Sequence, residues 1–213
     1  MTAREEILQR LWAGARPEAA VLPQPWRSRR AFPDLAAQFE RALLAAKGEV
    51  RRVDGWATAV AETIRLLTEL GAERVVVDGG GERPLTDIPW PTLAPSIQFT
   101  HPGAADWRAQ CAAADVGLSG AVAALAETGT LVVQSGPGQS RLATLLPPVH
   151  IALLPTDRLL PDLFAWTQAR QPTPPANTTL ISGPSKTADI EQTLSIGVHG
   201  PKRFIIVLVN VQT

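Results

Sequence analysis

Short runs of β-branched and aliphatic residues recur along this chain at intervals long enough to hold a helix. That alternation restricts the fold more than any other feature of the sequence. Val75-Val76-Val77, Leu131-Val132-Val133 and the stretch 204–209 are continuous apolar runs of strand length, and 149–154 is one but for His150. A strand with one wet face alternates apolar with polar residues, whereas a strand covered on both faces reads as an unbroken apolar run. Residues 74–78, 97–99, 115–119, 130–134, 149–154, 179–182 and 204–209 are therefore read as strands, with helices at 104–113 and 159–170 between them. The class this implies is α/β, a doubly wound and mostly parallel sheet with helices over both faces.

Helical period dominates the first third of the chain. Ile7, Leu8, Leu11 and Trp12 fall on one face of a helix over 3–14, read as a docking helix, and residues 17–33 are a Pro- and Arg-rich connector. Asp34 is placed to cap a helix running to about Lys47, with Gly48 as its stop. Residues 56–70 repeat the form, so two helices are expected before the first strand. The domain organisation is an N-terminal helix and connector over 1–34 and one domain over 35–213.

Composition narrows the function classes. With 20 basic and 20 acidic side chains among 213 residues, the chain carries no net field to attract nucleic acid or an anionic membrane. At 45% hydrophobic it has the material for a full core without disulfides. Cys111 is the one cysteine, so the chain by itself supplies no four-cysteine zinc or iron–sulfur site, and a reducing, cytoplasmic setting is expected. No secretion signal is read at the start, and no apolar stretch approaches the ~20 residues of a spanning helix.

Ligands of open α/β sheets gather in the loops that follow the strands, so the search for chemistry begins there. Gly79-Gly80-Gly81 follows a strand but lacks dinucleotide spacing and reads as a loop. Glu127-Thr128-Gly129-Thr130 sets two hydroxyls and a glycine amide beside an acid, which suits either a polar-ligand site with a base or nucleophile, or a tight turn. Residues 135–141 form a glycine loop ending in Arg141, readable as an anion nest or as a plain strand-to-helix turn. The densest polar cluster is Ser182-Gly183-Pro184-Ser185-Lys186-Thr187-Ala188-Asp189-Ile190-Glu191, read as a strand leading into a helix N-terminus that offers amides, hydroxyls and a cation to an anion, with Asp189 and Glu191 also suited to a plain structural role against the helix dipole. His101 and His150 are read as structural. His199, between Gly197 and Gly200, is either an acid–base group or a loop-fixing residue.

These segments, with residues 126–131, Arg141, residues 145–150, 182–191 and Gly197-Val198-His199-Gly200-Pro201 in order, resemble the LUD-domain family and, within it, the lactate utilisation protein C group. The similarity runs from about residue 35 to the end. It implies a fold like that of the sugar-isomerase, ribose-phosphate-isomerase and CoA-transferase group. It also implies a part in oxidising L-lactate to pyruvate beside iron–sulfur partner proteins, with the clusters on those partners and no cofactor on this chain. Carried over by residue, the implied catalytic candidates are Glu127, His199 and Asp189. The implied ligand-binding candidates are Thr128, Gly129, Thr130, Arg141, Ser182, Gly183, Ser185, Lys186, Thr187 and Gly200. Arg is accepted in the family at the place of Lys186, which favours a charge role over Schiff-base chemistry. On this reading Lys186 or Arg141 holds a carboxylate, Thr128 and Thr130 orient a hydroxyl, and His199 or Glu127 moves a proton. Two other readings stay open: a stand-alone isomerase or acyl-transfer enzyme built on Glu127, and a non-catalytic assembly scaffold.

Overall fold

The computed structural model describes residues 2–13, 27, 29–79, 85–136, 139–168, 174–188 and 194–211. In chain order the elements are α1 (Ala3–Ala13), α2 (Leu35–Ala45), β1 (Glu49–Asp54), α3 (Gly55–Glu69), β2 (Arg74–Val77), α4 (Trp90–Leu93), β3 (Gln98–Thr100), α5 (Trp107–Ala113), β4 (Val116–Ser119), β5 (Ala123–Leu125), β6 (Thr130–Ser135), α6 (Leu142–Leu145), β7 (Val149–Pro155), β8 (Leu159–Leu160), α7 (Leu163–Gln168), β9 (Asn177–Ile181), β10 (Lys186–Ala188), β11 (Leu194–Ile196) and β12 (Arg203–Asn210).

Six strands form a parallel sheet in the order β1-β12-β7-β4-β2-β3. Alternate residues of these strands feed two cores, as a pleat with both faces covered requires. Val75, Val77, Val116, Leu118, Ile151, Leu153, Ile205 and Val207 pack against Leu66 and Leu67 of α3 and against Trp90. On the other face, Ala152, Leu154, Phe204, Ile206 and Leu208 meet Phe39 and Leu43 of α2. Asp34 caps α2 as its sequence position predicts, accepting the Ala37 amide at 2.9 Å.

The second face is covered differently from the expectation of helices alone. β6 and β9, read from sequence as members of the main sheet, belong with β5 and β8 to a separate four-stranded sheet ordered β8-β5-β6-β9. β5–β6 and β6–β9 are antiparallel. The centre of β6, Leu131-Val132-Val133, is apolar because Leu131 and Val133 face the main sheet while Val132 packs with Ala123, Leu125 and Trp166 behind it. A strand buried on both sides gives the same apolar run in either kind of sheet, so pattern alone did not separate them.

Three other differences matter for the site. β1 lies between the two helices that were expected to precede all strands. It is an edge strand, Glu-Val-Arg-Arg-Val-Asp, and charged residues are what an exposed edge carries. The stretch read as a helix over 159–170 is β8 followed by α7, with 169–170 outside the described residues. Residues 186–188 start a β-hairpin with β11, not a helix. The N-terminal helix forms, yet Ile7, Leu11 and Trp12 stay exposed and α1 buries no residue. The connector expected over 17–33 falls largely outside the described residues. Among the described residues, no helix is long and apolar enough to cross a membrane.

Candidate functional site

At the carboxyl end of β2 the ladder continues one residue past the strand, where the Asp78 amide donates to the Leu118 carbonyl at 2.9 Å. Val77 pairs with Leu118, which places Asp78 beside Ser119 on the face that also carries Val76 and Gly117. Gly117 in turn pairs with His150 of β7. Three adjacent strands thus set an acid, a hydroxyl and an imidazole along one buried face. Gly117 between them has no room for a side chain. A Cβ there would stand 1.8 Å from the Ala143 carbonyl oxygen, because α6 closes directly onto β4.

His150 is fully buried, stacked on Phe204 with ring centroids 5.1 Å apart, and burial pulls its pKa down to about 3. It is therefore neutral. Its Nε2 lies 2.8 Å from the Ser119 hydroxyl oxygen, and its Nδ1 has no partner among the described residues. A buried N–H without an acceptor is rarer than an under-used lone pair, so the proton belongs on Nε2, which donates to Ser119. That tautomer leaves the Ser119 O–H free to donate elsewhere.

Asp78 is also buried. Its Oδ1 accepts the Ser140 amide at 3.1 Å, while its Oδ2 has no hydrogen-bond partner among the described residues. Burial pushes its pKa up to about 6, against the pull of the Ser140 and Gly79 amides. The Cys111 thiol nearby is pushed up to about 12 by burial and by the Asp78 carboxylate, so it offers no thiolate.

The loop after β6 closes over this carboxylate. Gly136 and Gln139 exchange two backbone hydrogen bonds of 3.2 and 3.0 Å, and the Leu142 amide donates to the Ser140 hydroxyl at 3.2 Å. With the Ser140 amide on Asp78, the amides expected to make an anion nest are engaged within the protein at these described positions; 137–138 lie outside. What the loop presents outward is Arg141, exposed at the rim of a cavity of about 380 Å³ lined also by Ser135, Gln139, Ser140 and Ala176.

Most of the other sequence-predicted residues come together elsewhere, around the carbonyl end of α2. The Thr128 and Thr130 hydroxyls are 2.6 Å apart, and Thr130 is 2.7 Å from the Ser182 hydroxyl. Gly129, at φ +64°, backs onto the main chain of Leu43. Lys186 Nζ donates to the Ala46 carbonyl at 2.5 Å, a cation against the negative end of the α2 dipole. Glu127 pairs with Arg30, a contact that a nucleophilic or basic role would have to break.

Gly183 approaches Ala46 beside them, and the Ser185 amide donates to the Pro201 carbonyl at 2.9 Å, holding Gly200 against Ser185. Thr187 pairs with Ser195 in the hairpin. His199 is exposed and lines a cavity of about 480 Å³ with Leu146, Pro148, Val198 and Lys202. There the Lys202 amide donates to the Pro148 carbonyl at 2.7 Å, just before β7 and β12 begin. His199 and Arg141 consequently stand at opposite ends of the parallel sheet. Asp189 lies outside the described residues.

Sequence reasoning missed Asp78 and Ser119 and assigned His150 a structural part only. The signal available was an acid directly after the Val75-Val76-Val77 run and a serine closing the next central strand, both at carboxyl ends. Among the described residues, no three His, Cys, Asp or Glu side chains stand close enough to hold a metal ion.

The chain is 30% identical to an uncharacterized protein of Neisseria meningitidis serogroup B over 98% of this chain and 94% of that one. It is 43% identical to lactate utilization protein C of Exiguobacterium over 46% of this chain and 45% of the relative. The corresponding protein of Bacillus subtilis is 37% identical over 46% of this chain and 43% of its own. The alignments thus span about half the length of the lactate utilization proteins. The crystal structure of a DUF162 family protein from Deinococcus radiodurans shares the fold with a TM-score of 0.54, at 22% identity, over 82% of this chain and 96% of that one. The LUD domain model matches residues 36–209, nearly all of the two-sheet body described above, and the chain belongs to the LUD-domain family.

Proposed function

We propose that this chain is a lactate utilisation protein C-like subunit that takes part in oxidising L-lactate to pyruvate beside iron–sulfur partner proteins, and that it binds the small carboxylate at the carboxyl end of the parallel sheet. The observation that carries the reading is the grouping there of Arg141, which is outward-facing, with the buried Asp78 and Ser119 beneath its loop. Similarity to proteins named for lactate utilisation supplies the ligand class. The donor set of this chain does not suit a cluster, since its one cysteine is buried and held protonated, so the clusters belong to the partners in this reading. The residues around the end of α2 act in packing: Lys186 caps the helix, and the Thr128, Thr130 and Ser182 hydroxyls tie the second sheet together at its α2 end.

Calorimetric titration with L-lactate tests this. A ligand of ~6 non-hydrogen atoms gains at most ~1.5 kcal/mol from each, about 9 kcal/mol in all, so Kd is no tighter than the sub-micromolar range and the titration should run from micromolar to millimolar L-lactate. Arg141→Ala removes a charge-assisted contact of about 1.5–3 kcal/mol and is expected to weaken binding about 10- to 100-fold. Lys186→Ala, checked for folding by its melting temperature, is expected to bind within about threefold of the unaltered chain, because a lost surface cap leaves the distant contact intact. The reverse ranking would move the carboxylate to the α2 end.

A further inference from the structure

We infer that the cavity at the amino end of β7 and β12 is a second ligand site, built for an organic anion with an apolar body. It is independent of the carboxylate reading above, since it lies at the opposite end of the parallel sheet from Arg141. Its volume of about 480 Å³ falls in the range of small-molecule sites. Its described lining is eight residues, whereas a stable protein interface takes about 20–30 from each side, so the hollow has the scale of a small molecule.

The floor is apolar and open to water. Leu146 is 40% exposed and Val198 60%, with Leu145 and Pro148 beside them. Lys202 and His199 belong to the same lining, and neither side chain has a hydrogen-bond or ion-pair partner among the described residues. Arg203, the next residue, differs: Glu49 holds its guanidinium through two bonds of 2.9 Å. Neither lining segment, 145–148 or 197–202, contains an acid. Apolar side chains grouped in a hollow beside an unpaired cation match a negative head on an apolar tail.

The cationic side of the cavity is held in place. The Gly197 amide donates to the Ser185 carbonyl at 2.9 Å and the Lys202 amide to the Pro148 carbonyl at 2.7 Å, so residues 198–200 form an arch pinned at both ends. The three amides of that arch donate to no carbonyl among the described residues, which leaves them for water or for an anionic head. Gly197, at φ +80°, makes room for the lysine stem, because a Cβ there would stand 2.1 Å from Lys202 Cγ. The stem of Lys202 thus lies along the backbone of the arch.

The test titrates the full chain at pH 7.5 with three probes: octanoate carries head and tail, acetate the head alone, and octylammonium the tail with a cation. Octanoate is expected to bind at least about tenfold more tightly than either of the others, and to shift the amide resonances of 198–200 more than those of α1. Lys202→Gln should weaken octanoate about tenfold and leave octylammonium unchanged. Val198→Ser should weaken octanoate about threefold or more. Melting temperatures of both variants establish that they are folded. Equal binding of octanoate and octylammonium, largest shifts on Ile7, Leu11 and Trp12, or an unchanged octanoate affinity in folded Lys202→Gln would overturn the site. Failure of octanoate to bind would also overturn it and leave the apolar floor to a protein partner. L-Lactate binding through Arg141 would survive each of these results.

Discussion

Asp78→Asn is expected to make the protein more stable at neutral pH. The Asp78 carboxyl titrates near pH 6 in the folded chain against 3.8 ordinarily, so the folded state takes up its proton more readily than the unfolded state does. Holding the ionised form in the buried site costs stability above pH 6, and the cost is relieved as the pH falls from 6 towards 4. A difference of about two pH units corresponds to about 3 kcal/mol, an upper bound for what an isosteric neutral side chain recovers. Asparagine retains the bond to the Ser140 amide, so a gain of about 1–3 kcal/mol is expected at pH 7.5. For a domain of this length that is a rise of about 3–10 °C in Tm. The gain should shrink to nothing by about pH 4.

His150 works in the other direction. Its pKa is depressed from 6.5 to about 3, so the stability it contributes is complete above pH 6.5 and is lost as the pH falls towards 3. That loss is common to both proteins and cancels in the comparison. Thermal denaturation of the pair between pH 4 and pH 8 checks the prediction, and an asparagine variant that melts below the unaltered chain at pH 7.5 would contradict it. A residue that costs stability and gains it on replacement is the pattern expected where a buried charge is kept for function.

Gly129→Ala is expected to be among the most damaging single-methyl additions in the molecule. Its φ of +64° already disfavours any side chain, and a Cβ built there would stand 2.3 Å from the Leu43 amide nitrogen and 2.6 Å from its Cα. Those are backbone atoms of the helix that fills the second core, so they cannot swing aside as a side-chain tip would. A loss of about 3–5 kcal/mol is expected, read as a fall in Tm of about 10 °C or more, with the chain failing to accumulate as its alternative outcome. Thr128→Val, which removes one exposed-side hydroxyl bond to Thr130, should cost only about 1 kcal/mol. Equal, small effects of both substitutions would mean that the turn does not pack against α2 as described.

That contrast bears on what the sequence made readable. The segment from Glu127 to Thr130 and the segment from Ser182 to Lys186 stand out because several polar and small residues adjoin in each. They do meet, through the 2.7 Å contact of Thr130 and Ser182, yet around the end of a helix. Local density of polar residues reports that a stretch of backbone is closely held; it does not report what holds it. The main parallel strands were visible because burial on both faces leaves an apolar run, and α2 and α3 because their inward faces keep helical spacing. β1 was hidden since an edge strand needs few apolar residues, and the hairpin of β10 was hidden because Gly183 and Pro184 punctuate a turn and a helix start alike.

The Asp78, Ser119 and His150 group was hidden for a different reason. Its members are 41 and 31 residues apart, each is a single polar residue at the edge of an apolar run, and only the strand order β7-β4-β2 makes them neighbours. Among the described residues, Arg141 is the sequence-predicted one that the fold brings to the same end of the sheet.

Crystals of the full chain soaked in millimolar L-lactate test the central claim most directly. Added density with its carboxylate on Arg141, in the cavity lined by Ser135, Gln139 and Ser140, is the expected result. Density for L-lactate on Lys186 at the end of α2, or beside His199, with Arg141 unoccupied, would contradict it.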